Sequence, residues 1–270
     1  MNKKILIIAI SLAALVLIIT AAVKIRGRGA SFPMGKSGVI NTILNQAKEQ
    51  EVKGNLMAAR DFYLKLISEY PGAQDIMKWQ KKVEELNISL LFSPVLTPKS
   101  ILYEIKPGDT LVKISREFKT TPELIKKSNG MADDKIIPGR KIKIWTAPFN
   151  IFVDKSQNML ILKSDEEVIK TYTVSTGANN STPVGTFKVV NKLKNPTWFK
   201  AGAVVPAGSP ENILGTAWLG IDVPGYGIHG TTEPESLGQQ VTQGCVRMAN
   251  SDVDELYIIV PVGTEVTIVD

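Results

Sequence analysis

The chain has 270 residues, of which 44% are apolar and 21% are charged, a balance typical of globular proteins with one or two domains. Its net charge of +6 comes without a nucleic-acid-binding motif, so a solvated surface is the simpler interpretation, and anionic envelope polymers or lipids are the second. A single cysteine excludes an intramolecular disulfide, and one cysteine with one histidine is too few for a typical zinc site.

An uncharged apolar segment of nineteen residues runs from Ile5 to Val23. At about 1.5 Å per residue, it spans the roughly 30 Å hydrocarbon core of a membrane. A signal peptide usually has a shorter apolar region and a small-residue cleavage site, whereas this run continues into Lys24 and Arg26. We therefore predict an uncleaved membrane anchor over residues 1–28. Basic residues on both sides leave its orientation open.

Helical periodicity follows a Gly/Ser/Pro linker and predicts an α-helical spacer over residues 35–93. Part of it resembles the later half of a tetratricopeptide unit, at Gly54, Ala59, Tyr63, Leu66 and Pro71. A further amphipathic helix is predicted from Ile76, Trp79, Val83 and Leu86. A stable repeat stack needs about three copies, so we interpret this segment as a small spacer. A dedicated surface for a protein partner is the alternative.

A compact unit over residues 101–146 begins after two residue-proline pairs, which break the helical pattern. Alternating apolar residues predict a first strand at 102–106 and a last strand at 141–145. Between them, Thr110 can cap one helix, and Thr121 precedes the proline that begins a second. The predicted order is strand, helix, helix, strand.

This unit resembles a LysM domain along its whole length. The resemblance implies binding to N-acetylglucosamine-containing glycans, in a shallow groove between the loop after the first strand and the loop before the last. The corresponding positions are Gly108, Asp109, Thr110, Leu111, Ile136, Ile137 and Pro138. Such residues are also ordinary turn residues of a small fold, so both interpretations stay open for each of them.

Short β-prone runs separated by polar turns predict a mostly-β domain over residues 149–270. The runs lie at 151–153, 159–162, 168–172 and 186–190. The one long helical stretch is expected at 252–259. The predicted fold class is therefore multidomain: a transmembrane helix, a small helical spacer, a βααβ module and a mostly-β domain.

The only histidine and the only cysteine of the chain, His229 and Cys245, lie sixteen positions apart in this β region. A cysteine attacks a carbonyl carbon as the thiolate, and because its ordinary pKa is about 8.5 it needs a neighbouring proton acceptor. The polar, glycine-containing segment between the two residues could fold back and bring them together. The alternative is that Cys245 is a small buried apolar residue and His229 a structural one.

Three neighbours would complete a thiol site. Gly244 has no Cβ and lets backbone N–H groups turn toward a carbonyl oxygen, as an oxyanion hole requires. Arg247 offers a permanent cation that would position a substrate carboxylate or brace the loop. Trp218 could line a substrate cleft, although aromatic residues of β domains more often belong to the core.

The segments HGT at 229–231 and TQGCVRM at 242–248 resemble the signature of the L,D-transpeptidases, bacterial cell-wall enzymes with a YkuD-type catalytic domain. Further segments similar to the family, in family order, are TPVGTF, NPTWF, LGTAWLG and PGYGI. The similarity as a whole extends over most of residues 150–270. The resemblance implies Cys245 as nucleophile and His229 as base. It implies orienting or oxyanion roles for Gly230 and Gly244, and substrate contacts at Arg247, Thr242, Tyr226 and Trp218.

Many family members have a second histidine where this chain has Gln243, and commonly serine in place of Thr242. The general base of the family corresponds to His229, so we expect activity to survive with altered tuning of the thiol or of substrate fit.

The resemblance implies a peptidoglycan L,D-transpeptidase that forms 3→3 cross-links between stem peptides through a cysteine thioester, without metal or organic cofactor. The catalytic domain would act outside the cytoplasm, held by the membrane anchor and by glycan binding. An L,D-carboxypeptidase or endopeptidase that uses the same thioester is one alternative. A non-catalytic peptidoglycan-binding protein and a glycan receptor are the others, and neither would react with a carbapenem.

Overall fold

The computed structural model describes residues 34–200 and 202–270. The membrane anchor predicted over residues 1–28 lies outside this part of the chain. Within the described residues, no helix is both long enough and apolar enough to cross a membrane. The chain divides into two compact units at the boundary between Ser89 and Leu90.

Three helices form the first unit, and they confirm the helical character predicted for the spacer. They are α1 (Met34–Val52), α2 (Leu56–Glu69) and α3 (Ile76–Leu91), of which α3 ends in the second unit. Fully buried alanines, Ala47 and Ala59, let the helices approach closely. The predicted apolar faces of α2 and α3 meet in one core, formed by Ile43, Ala47, Ala59, Tyr63, Leu66, Ile76, Trp79, Val83 and Leu86.

The second unit begins with the predicted strand-helix-helix-strand module. Its elements are β1 (Ser100–Glu104), α4 (Leu111–Glu117), α5 (Pro122–Ser128) and β2 (Lys141–Trp145). β1 pairs antiparallel with β2. The hydroxyl oxygens of Thr110 and Thr121 cap α4 and α5, since they accept the N–H groups of Lys113 and Leu124 at 3.1 and 2.9 Å.

Lys143 is a buried charge inside this module. Its Nζ donates to the carbonyls of Leu90 and Ser93 at 2.6 and 2.9 Å, which satisfies oxygens at the end of α3. Burial lowers the pKa of Lys143 to about 8. Asn129 supports the same strand, because its amide bonds both the N–H and the carbonyl of Lys143 at 2.8 and 2.9 Å.

The mostly-β domain is a closed barrel of eight strands, because β4 pairs back with β5. The order around the barrel is β5, β12, β10, β9, β6, β13, β3, β4. These strands are β3 (Phe149–Asp154), β4 (Met159–Ser164), β5 (Glu167–Gly177), β6 (Gly185–Lys194), β9 (Ala217–Ile221), β10 (Gly227–His229), β12 (Val246–Met248) and β13 (Glu265–Val269). Closure leaves these strands without open edges, and their buried aliphatic residues form the core.

Three further strands lie outside the ring. β11 (Gln240–Thr242) extends the sheet beside β5, whereas β7 (Trp198–Lys200) and β8 (Ala203–Val205) form a separate hairpin. The last helix, α6 (Asn250–Ile259), begins two residues before the predicted start and contacts β9 and β10. It buries Val253, Leu256 and Ile259.

The module and the barrel share one compact unit, and hydrogen bonds are among the contacts that join them. The Thr121 hydroxyl, at the start of α5, donates to the carbonyl of Ile258 in α6. Lys99 Nζ donates to the carbonyl of Ser164 at 2.6 Å.

Candidate active site

The barrel register brings the chain's only histidine and only cysteine to neighbouring strands. β10 and β12 pair in parallel, with His229 opposite Arg247, and Cys245 ends the turn that enters β12. Opposite residues of a strand pair share one face, so Arg247 and His229 lie on the same side of the barrel wall, and Cys245 directly precedes β12. The separation of sixteen positions is therefore closed by strand pairing.

His229 is held in one orientation by two neighbours. Its Nδ1 lies 2.6 Å from the Gly230 carbonyl, and its ring stacks on Trp218 at 5.9 Å between centroids and 17° between planes. The side chain is 3% exposed, and burial is the main cause that lowers its pKa to about 4. The hydrogen bond to Gly230 raises this pKa, and the nearby positive charge of Arg247 lowers it further. A carbonyl only accepts, so Nδ1 carries the proton of the neutral ring and Nε2 is left as the proton acceptor.

Cys245 is partly exposed, which excludes the alternative of a thiol sealed within packed hydrocarbon. Its Sγ lies 3.5 Å from the carbonyl of Gly225. Burial raises the pKa of the thiol, while a hydrogen bond from the Gly227 N–H and the positive charge of Arg247 lower it. Gly225 and Gly227 lead directly into β10, so the sulfur lies beside the strand that carries His229. Burial thus favours the neutral form of both side chains.

The turn before Cys245 is tightly built around Gly244. Its φ of +128° suits glycine, and an added Cβ would lie 2.5 Å from the Tyr226 ring and 3.1 Å from the Ser181 carbonyl. Thr242 closes the turn, because its hydroxyl donates to the Cys245 carbonyl at 2.6 Å and accepts the Gly244 N–H at 3.2 Å. The N–H of Gly244 is therefore not available for the oxyanion hole expected from the sequence, because it already donates to the Thr242 hydroxyl. Thr242 is buried and braces the turn.

Arg247 contacts the loop between β10 and β11. The sequence leaves two roles open for it, positioning a substrate carboxylate or bracing this loop. Its Nη1 donates to Glu233 at 2.7 Å and to Ser236 at 2.9 Å, and the residue is only 7% exposed. The guanidinium therefore braces this loop, because a side chain so engaged and covered is poorly placed to meet a substrate carboxylate. Gln243, at the neighbouring turn, is exposed.

A cavity of about 300 Å³ lies beside Trp218 and the turn before β10, and its lining residues do not include Cys245 or His229. Its lining includes Gly225, whose carbonyl contacts Cys245, and the half-buried aromatic rings of Trp218 and Tyr226. Trp218 Nε1 donates to Asn191 Oδ1 at 3.1 Å on the same wall. Both aromatic residues predicted as substrate contacts thus border this cavity.

The predicted glycan residues lie on two adjacent loops of the module. Backbone bonds join Ile105 to residues 139 and 140, so the loop after β1 and the loop before β2 run side by side. Gly108, Thr110 and Pro138 are exposed, Asp109 and Ile136 are half-buried, and Ile137 is 66% exposed. Leu111 is a correction, because at 3% exposure its side chain belongs to the module core and not to a surface groove.

Asp109 has a structural contact that the sequence did not predict. One carboxylate oxygen accepts the Tyr103 hydroxyl at 2.9 Å and the Lys106 N–H at 2.8 Å. These bonds lower the pKa of Asp109, with the Lys106 N–H as the largest cause. The turn interpretation therefore accounts for this oxygen, and the exposed neighbours are left as the candidates for sugar contact.

Asn250 is a residue of the site that the sequence reading missed. Its side chain accepts the N–H groups of Thr216 and Thr231 at 3.2 and 3.0 Å and donates to the Thr231 carbonyl at 2.8 Å. It thus ties α6 to the end of β10, directly after Gly230. Within the described residues, no group of three or more His, Cys, Asp or Glu side chains could hold a metal ion.

Comparison with known proteins identifies two domains. Residues 148–268 match the L,D-transpeptidase catalytic domain, YkuD, and residues 103–145 match the LysM domain. YkuD of Bacillus subtilis (strain 168), assigned to the L,D-transpeptidases by name, is 35% identical over 175 residues, 62% of this chain and 98% of that protein. YqjB of the same organism, similarly named, is 42% identical over 126 residues, 44% of this chain and 70% of that protein. A solved structure, "L,D-transpeptidase from Mycobacterium smegmatis", is 21% identical over 50% of this chain and 65% of its own, with a TM-score of 0.40.

The matches and the fold together define a β-barrel transpeptidase domain joined to a LysM module. The chain belongs to the L,D-transpeptidase family, since it matches the Bacillus subtilis YkuD protein over nearly that protein's whole length. The L,D-transpeptidase function and the LysM domain predicted from the sequence are thereby confirmed. The roles of individual residues stay predictions.

Proposed function

We propose that this L,D-transpeptidase forms 3→3 cross-links between peptidoglycan stem peptides through a thioester on Cys245. What supports the proposal is that the parallel pairing of β10 and β12 brings a partly exposed thiol, directly before β12, beside the strand that ends in a buried imidazole. Gly225, whose carbonyl lies 3.5 Å from the sulfur, also lines a cavity of about 300 Å³ together with Trp218 and Tyr226.

In the first half-reaction, His229 Nε2 takes the thiol proton and Sγ attacks the carbonyl carbon of the third residue of a donor tetrapeptide. The oxyanion that develops on the carbonyl oxygen would be stabilised by the backbone N–H of Cys245. The carbon–nitrogen bond then breaks, the imidazolium gives its proton to the departing D-alanine amine, and the thioester remains.

In the second half-reaction, the side-chain amine of a neighbouring stem attacks the thioester carbonyl. His229 takes the amine proton, the carbon–sulfur bond breaks and the thiolate leaves, to be protonated again by the imidazolium. The two stems are then joined by a new amide bond. In the hydrolytic alternative, water replaces the amine and the product is a free tripeptide.

We further propose that the LysM module holds the enzyme on wall glycan and that residues 5–23 attach it to the membrane, with the catalytic domain outside the cytoplasm. The anchor is supported by the uncharged sequence alone. Tethering raises the effective concentration of an insoluble substrate, so neither attachment has to be tight. A protein partner on the helical spacer is a further part of this proposal.

The decisive experiment incubates the purified chain with tetrapeptide muropeptides, with and without an acceptor stem. Cross-linked dimer with release of D-alanine is the expected product, whereas tripeptide formed equally in both arms would favour the hydrolase. Exposure to a carbapenem should increase the mass of the intact protein by that of one inhibitor molecule. The single cysteine makes the site of the adduct unambiguous. An unmodified protein with no turnover in either assay would sink the enzymatic proposal and favour a wall-binding protein.

A further inference from the structure

We infer that Asn250 is a positioning residue that sets the tautomer and the orientation of His229 by clamping the peptide unit between Gly230 and Thr231. The inference rests on the proposed function, because it assigns His229 as the base for Cys245. It concerns a residue on α6, outside both signature segments.

The argument begins with one planar group. The carbonyl of Gly230 and the N–H of Thr231 belong to the same peptide unit, which is planar and rotates as a whole. The carbonyl lies 2.6 Å from His229 Nδ1, and the N–H donates to Asn250 Oδ1 at 3.0 Å. Any rotation that breaks the bond to Asn250 therefore also moves the carbonyl that holds the imidazole.

Two further bonds keep the amide of Asn250 in place. Its Oδ1 accepts the N–H of Thr216, at the start of β9, and its Nδ2 donates to the carbonyl of Thr231. The oxygen of this amide cannot be exchanged with its nitrogen, because both groups that face Oδ1 are donors and the group that faces Nδ2 is an acceptor.

The packing around the amide leaves no space for other arrangements. A Cβ added to Gly215 would lie 2.1 Å from Asn250 Oδ1, and one added to Gly230 would lie 2.2 Å from the same atom. Two glycines thus let the backbones of neighbouring segments reach this side chain. The Thr216 hydroxyl also donates to Asp254 at 2.6 Å, which fixes α6 to the residue that precedes β9.

The functional consequence follows from the chemistry of the ring. If the Gly230 carbonyl turns away, the proton on Nδ1 loses its partner and the neutral imidazole can carry the proton on either nitrogen. Only the form with an unprotonated Nε2 can accept the thiol proton. We therefore expect Asn250→Ala to leave a folded barrel whose thiol reacts about 10- to 100-fold more slowly, since small displacements of a catalytic group have effects of that size.

The experiment is nitrogen NMR of the full chain labelled with ¹⁵N-histidine, together with the rate of carbapenem addition to Cys245. The chain has one histidine, so the spectrum contains one imidazole. The expected wild-type spectrum is that of the ring protonated on Nδ1, and Asn250→Ala should give a mixture of the two neutral forms and the slower rate. Ser251→Ala, an exposed neighbour on the same helix, should change neither.

Asn250→Asp is the second variant, because its carboxylate still accepts both N–H groups but cannot donate to Thr231. It should keep the wild-type tautomer, with a rate between those of the wild type and the alanine variant. A folded Asn250→Ala protein with wild-type spectrum and rate would overturn the inference. If that variant does not fold, loss of the Nδ1-protonated form in a folded Asn250→Asp protein would overturn it equally. A wild type that forms no adduct would instead count against the proposed function, since the tautomer is measured without any reaction.

Discussion

The LysM module and the catalytic wall of the barrel are built from interactions of different range. In the module, the hydroxyls of Thr110 and Thr121 each accept the N–H of the residue three positions later and so cap a helix. Asp109 accepts the N–H of Lys106, three positions earlier. In the barrel wall, the ring of His229 stacks on Trp218 of a neighbouring strand, and Asn250 of the last helix binds the N–H of Thr231, two residues after His229. The caps and turns of the module therefore need only local structure, whereas the thiol site exists only once the barrel has closed.

The largest effect should separate the two regions by function. Cys245→Ala removes the nucleophile, and we expect transpeptidation to fall by more than about 1,000-fold, as loss of a nucleophile usually costs at least that much. Binding to insoluble peptidoglycan should not change, because the contacts of Cys245 lie within the barrel wall. D-alanine release and cosedimentation with purified peptidoglycan measure the two effects.

The matched variant on the other region is Ile137→Ser, at an apolar side chain left 66% exposed by the module. It should weaken cosedimentation and leave turnover of small soluble muropeptides intact. If Cys245→Ala also abolished cosedimentation, or Ile137→Ser also abolished turnover, the two regions would not divide the work as proposed.

The second effect is a loss of barrel stability in acid. Burial lowers the pKa of His229 from 6.5 to about 4, so the unfolded chain binds the proton more readily between these values. Stability is therefore lost as pH falls from about 6.5 to about 4, by up to roughly 3 kcal/mol in the free energy of unfolding. Urea unfolding at a series of pH values measures it.

Carboxylates titrate in the same range, so the comparison is made against His229→Gln, which keeps a polar side chain without an ionisable ring. The wild type should lose stability relative to His229→Gln as pH falls through this window, and the difference between the two proteins should be constant above it. A difference that does not depend on pH would mean that the imidazole is not buried in its neutral form.

The third effect concerns two glycines with positive φ. At Gly244 an added Cβ would meet the Tyr226 ring at 2.5 Å, whereas at Gly108, with φ +83°, it would meet nothing within 4 Å. Gly244→Ala should displace the thiol and slow carbapenem addition by about 100-fold. Gly108→Ala should cost about 1 kcal/mol of unfolding free energy through backbone strain alone and leave the reaction rate unchanged. Similar rates for both variants would refute the importance of the Gly244 turn.

The same difference in range explains what the sequence could predict. The helix caps of the module and its turn residues could be read directly, because each acts on residues a few positions away. The pair of His229 and Cys245 could be proposed because each type occurs once and because the family signature contains both. The segment between them, interpreted from the sequence as a loop, also contains β11, since a strand of three residues is too short to show a period.

What sequence reasoning missed depends on strand order. Glu233 is one of 26 acidic residues, and only the folded loop selects it as the partner of Arg247. Asn250 lies near the start of a correctly expected helix, but its role requires β9 and β10 to be neighbours. The burial of Leu111 was also missed, because a leucine beside a predicted groove and a leucine that begins a helix core have the same local sequence.

The smallest effect tests whether the two regions fold as one unit. Thr110→Ala removes one helix cap, and a lost N-cap costs about 1 kcal/mol. Thr121→Ala removes an equivalent cap and also the bond from its hydroxyl to the Ile258 carbonyl in the barrel's last helix. Thr121 is 2% exposed, and a buried hydrogen bond adds about 1 kcal/mol, so Thr121→Ala should cost about twice as much. Urea midpoints of the full chain measure both, with Thr121→Ser as the control that keeps the hydroxyl. Equal costs would mean that this contact contributes nothing to joining module and barrel, because of the two capping threonines only Thr121 bonds a residue of the barrel.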